Sequence, residues 1–464
     1  MNSPLSPTSG RDALPEPPKP SWWSLTWRRT LAVALVVFLA VECYRAIWQR
    51  ENDYRWHVVK GQALLQRDMQ ALNADWYPLG RMGWNALVAL LPYRLGRVLF
   101  LGLGLGAFLL GYELWARMSG RPGLRCPRVR TAALLTTAAG VVLLQRELDE
   151  CGLQLFLLGL LSIAAWLFSR RREFAGAVVL AAAATYKATP ILFLPYLIWK
   201  RRLLPAAVFP VALVGLNLLP AAYLGWENAL QFHGRTLARI KAQVQLQDPS
   251  RNTVEPPNVR NQSLPVALAR FLQTYPPGHP LRLDHKAFVQ FAALSPQAAG
   301  RVVRGAILLL GLLVAWKFWP QRPRGESILG AKRRHAWEWA VAVAFTALLS
   351  PLCWKHHLVL VLPAYFLLVL EVLDSPRQNR GTALLLGVAA ALMLLPGRAL
   401  WGRELSLVLV SYKPYTWAAL GVVLGLLARL PGPKPCLALS VPCTEKKQPI
   451  AQTTREPRSS TRAA

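Results

Sequence analysis

The chain alternates long apolar runs with short basic loops, and this alternation restricts the fold more than any single motif does. The first run, "TLAVALVVFLAVECYRAI" (30–47), follows Arg28 and Arg29 at the end of a Pro/Ser-rich segment. It has about the length needed to cross a hydrocarbon core. No small-residue cleavage site follows it, so it reads as an uncleaved helix rather than a signal peptide. Further apolar runs lie near 96–116, 131–145, 152–169, 174–186, 189–199, 203–222, 302–319, 337–350, 358–373, 382–398 and 414–430. Together they predict an all-α polytopic membrane protein with about twelve transmembrane helices. A hydrophobic content of 53% and a mean hydropathy of +0.28 agree with a bilayer as the solvent. The sixth run, "PILFLPYLIWK", is too short to span alone and contains Pro190 and Pro195. It is predicted to be broken or partly re-entrant, its backbone shielded by protein or a cavity. The expected organisation is a disordered cytoplasmic tail (1–29), a transmembrane domain (30–430) with extracytoplasmic loops at about 48–95 and 223–301, and a basic disordered cytoplasmic tail (431–464).

A net charge of +31 would suggest nucleic acid as the partner of a soluble protein. Here the basic residues are spread between apolar runs, and that distribution reads as topology, with membrane lipids and not nucleic acid as the surroundings. Every second loop is basic: Arg117 to Arg130, Arg170 to Arg172, Lys200 to Arg202, Arg322 to Arg334, and Arg377 with Arg380. This is the positive-inside pattern. It places these loops and both termini in the cytoplasm and the protein in the cell (inner or plasma) membrane. Of the six cysteines (43, 126, 151, 353, 436 and 443), only Cys151 and Cys353 then fall outside; a disulfide could join them, but spacing does not establish one.

Carboxylates, imidazoles and amides concentrate in the loops assigned to the outer face: "RENDYRWHVVKGQALL" (50–65), "ADWYPLGRMGWN" (74–85), "RELDECGLQ" (146–154), "TYKATP" (185–190), "NVRNQSLPVALAR" (258–270) and "SPLCWKHH" (350–357). Asp53, just past the first helix, is either a solvated loop acid or a general base that takes a proton from an attacking hydroxyl. Glu51 and Asp75 compete for that role. Tyr77, with Tyr54, Trp56 and Trp76, is either an interfacial anchor or a sugar platform. Lys187 lies in apolar surroundings, where an ammonium is costly unless it snorkels or meets an anion such as a phosphate. His356 and His357, beside Trp354 and Lys355, could likewise donate to a phosphate or simply sit at the interface. The acids of "ELDE" (147–150) could offer metal oxygens, but a helix-flanking acidic turn is the simpler reading, and no metal or other cofactor is expected.

These segments resemble a known family. "SPLCWKHHLVLVLP" is similar to the Ser-Pro, Trp and His-His signature of glycosyltransferase family 87, multi-pass enzymes of the GT-C superfamily. "AGAVVLAAAATYKATPILFLPYLIWKRR" resembles its Lys-x-x-Pro segment with trailing basic pair. "NQSLPVALARFL" resembles its Asn-Gln-Ser segment, and "NDYRWHVVKGQALL" with "DWYPL" its first outer loop. The resemblance runs from about 30 to 430. It implies transfer of mannose or arabinofuranose from a polyprenyl-phosphate donor to a glycolipid or cell-envelope glycan acceptor. It further implies Asp53 as base, Lys187 with His356 or His357 at the donor phosphate, and Asn261, Gln262 and Trp354 lining the site. The sequence departs from the family at "ECGLQ", where a Gly-Gln-x-Asn segment is common and Gln154 would supply the amide, and at Lys355, where an acid or another polar residue is common. A lipid-linked sugar flippase would share the many helices and a cationic cavity, but it should show mid-membrane polar residues or inverted repeats. A membrane O-acyltransferase should carry its His within a span.

Overall fold

A computed structural model describes residues 22–49, 53–73, 77–243, 257–320 and 326–430. Glu51, Asp75, Trp76 and both predicted tails beyond Trp22 and Leu430 lie outside the described residues. Among the described residues the regular structure is all helical, with one isolated bridge between Gln273 and Leu294 and no strand. Helix α1 (Trp22–Trp48) starts upstream of the expected Thr30, because the segment after Trp22 carries no helix breaker before the apolar run. It leads into a layer of short helices, α2 (Asp53–Leu65), α3 (Met69–Asn73) and α4 (Leu79–Ala89). Then follow α5 (Tyr93–Met118), α6 (Pro127–Ala139), α7 (Val141–Asp149), α8 (Leu153–Ser169), α9 (Glu173–Tyr186) and α10 (Phe193–Trp199). The middle of the chain forms α11 (Leu203–Leu218), α12 (Ala221–Leu224), α13 (Trp226–Gln243), α14 (Leu264–Leu272) and α15 (Pro296–Lys317). Last come α16 (Ile328–Leu348), a 3-10 segment (Lys355–Val361) that continues into α17 (Leu362–Asp374), then α18 (Arg380–Leu394), α19 (Arg398–Ser411) and α20 (Pro414–Arg429).

Helices occupy all of the expected apolar segments, but five are long and apolar enough to cross a membrane, or up to seven if each bent pair counts as one span. The count of twelve therefore does not follow from helix length. One apolar stretch that reads as continuous, 131–145, is bent, α6 against α7 by 69° at Gly140, and α18 is followed after an 85° bend by α19, which lies between two expected spans. Others, such as α9 and α20, are short. The "PILFLPYLIWK" stretch is broken, as its prolines predict: a 3-10 turn over Thr189–Leu192 runs into α10.

Burial ranks these helices. The Lys355–Asp374 segment is 83% buried, whereas the spans of α1, α11 and α15 are 17%, 11% and 17% buried. The first is the axis of the bundle; the others present Leu and Val to their surroundings. Close packing rests on small residues, as expected where lipid offers no hydrophobic drive between helices. A Cβ on Gly104 of α5 would stand 2.9 Å from the carbonyl oxygen of Gly152, and one on Gly61 of α2 would overlap the backbone of Asn85 in α4. Gly152 also has φ +76° at the start of α8, a conformation open to glycine at little cost.

Helices α8, α9 and α16 join the two ends of the bundle. Their termini at Leu153, Tyr186 and Leu348 lie toward the predicted outer loops, and those at Ser169, Glu173 and Ile328 lie among the basic turns.

Candidate active site

At the first of these ends a cavity of about 830 Å³ is lined by the start of α2, the end of α7, the loop before α14, the Trp354–His356 turn and the start of α19. Asp53 is the first residue of α2, placed where the helix leaves α1. Its backbone N–H donates to Glu150 Oε2 at 3.2 Å, and the two carboxyl groups are close enough to hydrogen-bond. Arg146, one helical turn before Glu150, closes an ion pair with it. Burial and the charge of Asp53 push Glu150 up to about 7. The cavity thus carries a carboxyl pair in which one member titrates near neutrality, the range that suits proton transfer at physiological pH.

The same cavity is lined by four cations: Arg146, Arg260, Lys355 and Arg398. Their charges act on one another, since Arg146 and Arg398 disfavour the charged form of Arg260. Like charges held together in a partly buried space are unfavourable unless an anion joins them. His356 also lines the cavity, and its Nδ1 is buried with no hydrogen-bond partner among the described residues.

The expected site residues separate into groups. Asp53, Gln262, Trp354 and His356 face the cavity. His357 does not: its Nδ1 accepts the Trp354 N–H at 3.3 Å, and the ring also hydrogen-bonds the Leu352 backbone, so it holds the turn. Lys187 stands behind the wall, buried, donating to Gln154 Oε1 at 3.0 Å and within electrostatic reach of His356, His357 and Cys353. Burial lowers its ammonium to about 7. Gln154 is therefore engaged with Lys187 and sits away from the cavity lining. Tyr77 packs instead against Trp56 at 5.3 Å and under the Arg81 guanidinium at 4.0 Å. Arg81 donates to the Tyr186 carbonyl at 2.6 Å and ties α4 to α9 just before Lys187.

Asn261 is used by the backbone. Its Oδ1 accepts the N–H groups of Ser263 and Cys353, both at 3.0 Å, and its Nδ2 donates to Pro351 O at 3.0 Å. Gln262 donates its N–H to Cys353 O at 2.6 Å and its Nε2 to Val410 O at 3.2 Å. The Asn-Gln-Ser segment is thus a clasp that joins the Cys353 loop to α19 and α20 and presents Arg260. Lys413 completes it, fully buried, donating to Val259 O at 2.5 Å and Asn261 O at 2.8 Å.

The acids of 147–150 have separate tasks. Glu147 Oε1 accepts the N–H groups of Gln154 and Leu155 and so caps α8, while Asp149 and Glu150 face the cavity. Among the described residues no group of three or more His, Cys, Asp or Glu side chains could hold a metal ion. Cys151 and Cys353 are both buried and form no disulfide with each other, Cys151 packing with Tyr54 and Val58.

Sequence reading passed over Glu150, Arg146, Arg260 and Arg398 as site residues. No clear signal marked them, because the predicted outer loops carry many other basic residues, Arg55, Lys60, Arg235 and Arg282 among them.

An all-helical bundle with many apolar helices and a charged cavity at one end defines a multi-pass membrane protein with a polar site at the edge of its spans. Comparison with protein-family models matches residues 76–327 to glycosyltransferase family 87, more than half of the 464-residue chain. The chain belongs to that family and is a membrane glycosyltransferase. The matched stretch contains Tyr77, Gln154, Lys187, Asn261 and Gln262; Asp53 and the Trp354–His357 turn lie outside it. No curated protein and no solved structure matches the chain.

Proposed function

We propose that the cavity bearing Asp53, Glu150 and the cluster of Arg146, Arg260, Lys355 and Arg398 transfers a sugar, mannose or arabinofuranose, from a polyprenyl-phosphate donor to a glycolipid or envelope glycan. The observation that carries this reading is the meeting of a carboxyl pair and mutually repelling cations in one cavity. In this reading the cavity lies on the extracytoplasmic side of the cell membrane and both termini lie in the cytoplasm, as the basic loops predict.

The chemistry follows from these groups. An acceptor hydroxyl attacks the anomeric carbon as the bond to the phosphate oxygen breaks, and the electron pair leaves with the polyprenyl phosphate. Arg260, Lys355 and Arg398 hold the growing negative charge, and preorganised cations in a partly dry cavity do this without reorganisation cost. Arginine suits the task because its planar fork can meet two phosphate oxygens at once. The free His356 Nδ1 face offers one further polar contact, and Lys187 adds positive potential from behind. Asp53 receives the hydroxyl proton, and displacement from the face opposite the phosphate inverts the anomeric centre.

The test uses purified full-length protein with labelled polyprenyl-phosphate-mannose, the matching arabinofuranose donor and a membrane lipid extract. Transfer of label to an extracted lipid or glycan, lost together with donor binding in Arg260→Ala and Arg398→Ala, supports the proposal. Movement of the donor between leaflets without transfer would instead identify a flippase.

A further inference from the structure

A second cavity, larger than the one that bears Asp53, is at the other end of the bundle. It measures about 1170 Å³ and opens between the ends of α5 and α8 and the first turns of α16. Helix α8, 17 residues long, separates it from the Glu150 turn by about 25 Å at 1.5 Å per residue. Seven of its lining residues are Arg or Lys and two are Glu.

Three of the cations are already matched. Arg117 pairs with Glu113 at 2.5 Å, Arg121 with Glu371 at 3.2 Å and with Asp374, and Arg202 with Glu173 at 3.3 Å. The other lining acid, Glu326, is taken by Arg334 at 2.7 Å. Arg170, Arg171 and Lys332 line the cavity with no carboxylate partner among the described residues. Arg121 Nε is buried with no acceptor among the described residues.

A positive-inside bias explains cations on this side of the membrane but asks only for charge in short loops. It does not ask for a concavity, nor for the local backbone. Arg171 follows α8 with φ +59°, where glycine would be the unstrained residue. Apolar groups stand beside the cations: Arg170 lies over the Trp166 ring at 4.5 Å, and Ile328 on the rim is 80% exposed.

We infer that this cavity is a binding site for a phosphate-bearing anion, held by Arg170, Arg171 and Lys332, with Trp166 and Ile328 against the group that carries the phosphate. Such an anion comes from an anionic lipid headgroup or from a free phosphate ester, and the experiment separates the two. The inference is independent of the sugar-transfer reading, because its residues are none of those assigned to transfer.

Full-length protein is purified as wild type, as Arg170→Ala/Arg171→Ala/Lys332→Ala, and as Arg170→Lys/Arg171→Lys. The lysine pair keeps the charge that directs insertion but loses the planar fork. Lipid retention is read by native mass spectrometry after exchange into micelles doped with phosphatidylglycerol or phosphatidylcholine. Thermal midpoints are read with and without glycerol 3-phosphate. The wild type is expected to retain phosphatidylglycerol over phosphatidylcholine or to be stabilised by glycerol 3-phosphate; the first result assigns a headgroup, the second a free ester. Whichever signal is found should fall about tenfold in the alanine variant and severalfold in the lysine variant, which inserts normally. Two results overturn the inference: no preference and no stabilisation in the wild type, or a wild-type signal that the lysine variant keeps in full.

Discussion

Glu150 changes what Asp53 can do. Two carboxyl groups in contact hold a proton more tightly than either would alone, and Glu150, pushed up to about 7 by burial and by Asp53, takes that proton below neutrality. Above about 7 Glu150 is ionised and can take over the proton that Asp53 removes from the sugar acceptor. Turnover should therefore rise with pH through about 7, and in Glu150→Gln, whose amide stays neutral, that rising limb should disappear from the kcat profile. The sign for stability is opposite. A carboxyl whose folded pKa lies above its unfolded value loses stabilisation as pH rises between the two, here from about 4.5 to about 7. Glu150→Gln should thus gain more in thermal midpoint at pH 8 than at pH 5; equal gains would remove the pairing with Asp53. The neighbouring histidines separate in the same way. His356→Ala should lower kcat by roughly tenfold to a hundredfold with little loss of stability, because its Nδ1 holds no partner among the described residues. His357→Ala opens the turn it closes and should cost about 1 to 3 kcal/mol in denaturant unfolding. A reversed pattern would exchange their roles. Sequence singled out Asp53 and the His pair but not which imidazole faces the cavity, since that depends on how one 3-10 turn winds. Glu150 was visible only as part of an acidic turn, because its contact with Asp53 joins residues 97 apart.

At the scale of elements, the Asn-Gln-Ser clasp does work that its polar composition disguises. Asn261, Gln262 and Lys413 spend hydrogen bonds on backbone groups and fix the loop that carries Arg260, so positions that read as ligand contacts hold the framework. Lys413→Met would leave the carbonyls of Val259 and Asn261 without this donor. Unfolding free energy should fall by about 1 to 3 kcal/mol, and donor affinity should fall with it although residue 413 does not line the cavity. An unchanged affinity in a destabilised variant would show that the loop's position does not matter. Breaks in helices were legible where proline marks them, as at Pro190. The sharp bend at Gly140 was not, because hydropathy stays high through it and a lone glycine rarely forces a bend, whereas the bend between α18 and α19 falls on Pro396 and Gly397, a turn signal passed over as part of the run 382–398. The second bend is what brings Arg398 to the cavity.

For the whole molecule, apolar periodicity was enough to give the solvent and an all-helical bundle, and the alternation of basic loops was enough to gather the polar loops at one end. It was not enough to count spans, because short helices buried by their neighbours look in sequence like spans. Nor did it show that Arg146, Arg260, Lys355 and Arg398 would line a cavity with the carboxyl pair. In the proposed mechanism, sugar transfer depends most on Asp53 as proton acceptor. The most direct measurement is single-turnover transfer from labelled polyprenyl-phosphate sugar by the wild type, Asp53→Asn and Glu51→Gln, with donor affinity measured in parallel. Asp53→Asn keeps shape and hydrogen bonding but cannot take a full proton, so its transfer rate should fall by roughly two to four orders of magnitude with donor affinity retained, and Glu51→Gln should keep most activity. An Asp53→Asn rate above about a tenth of wild type, too small a loss for a positioned base, would contradict the account.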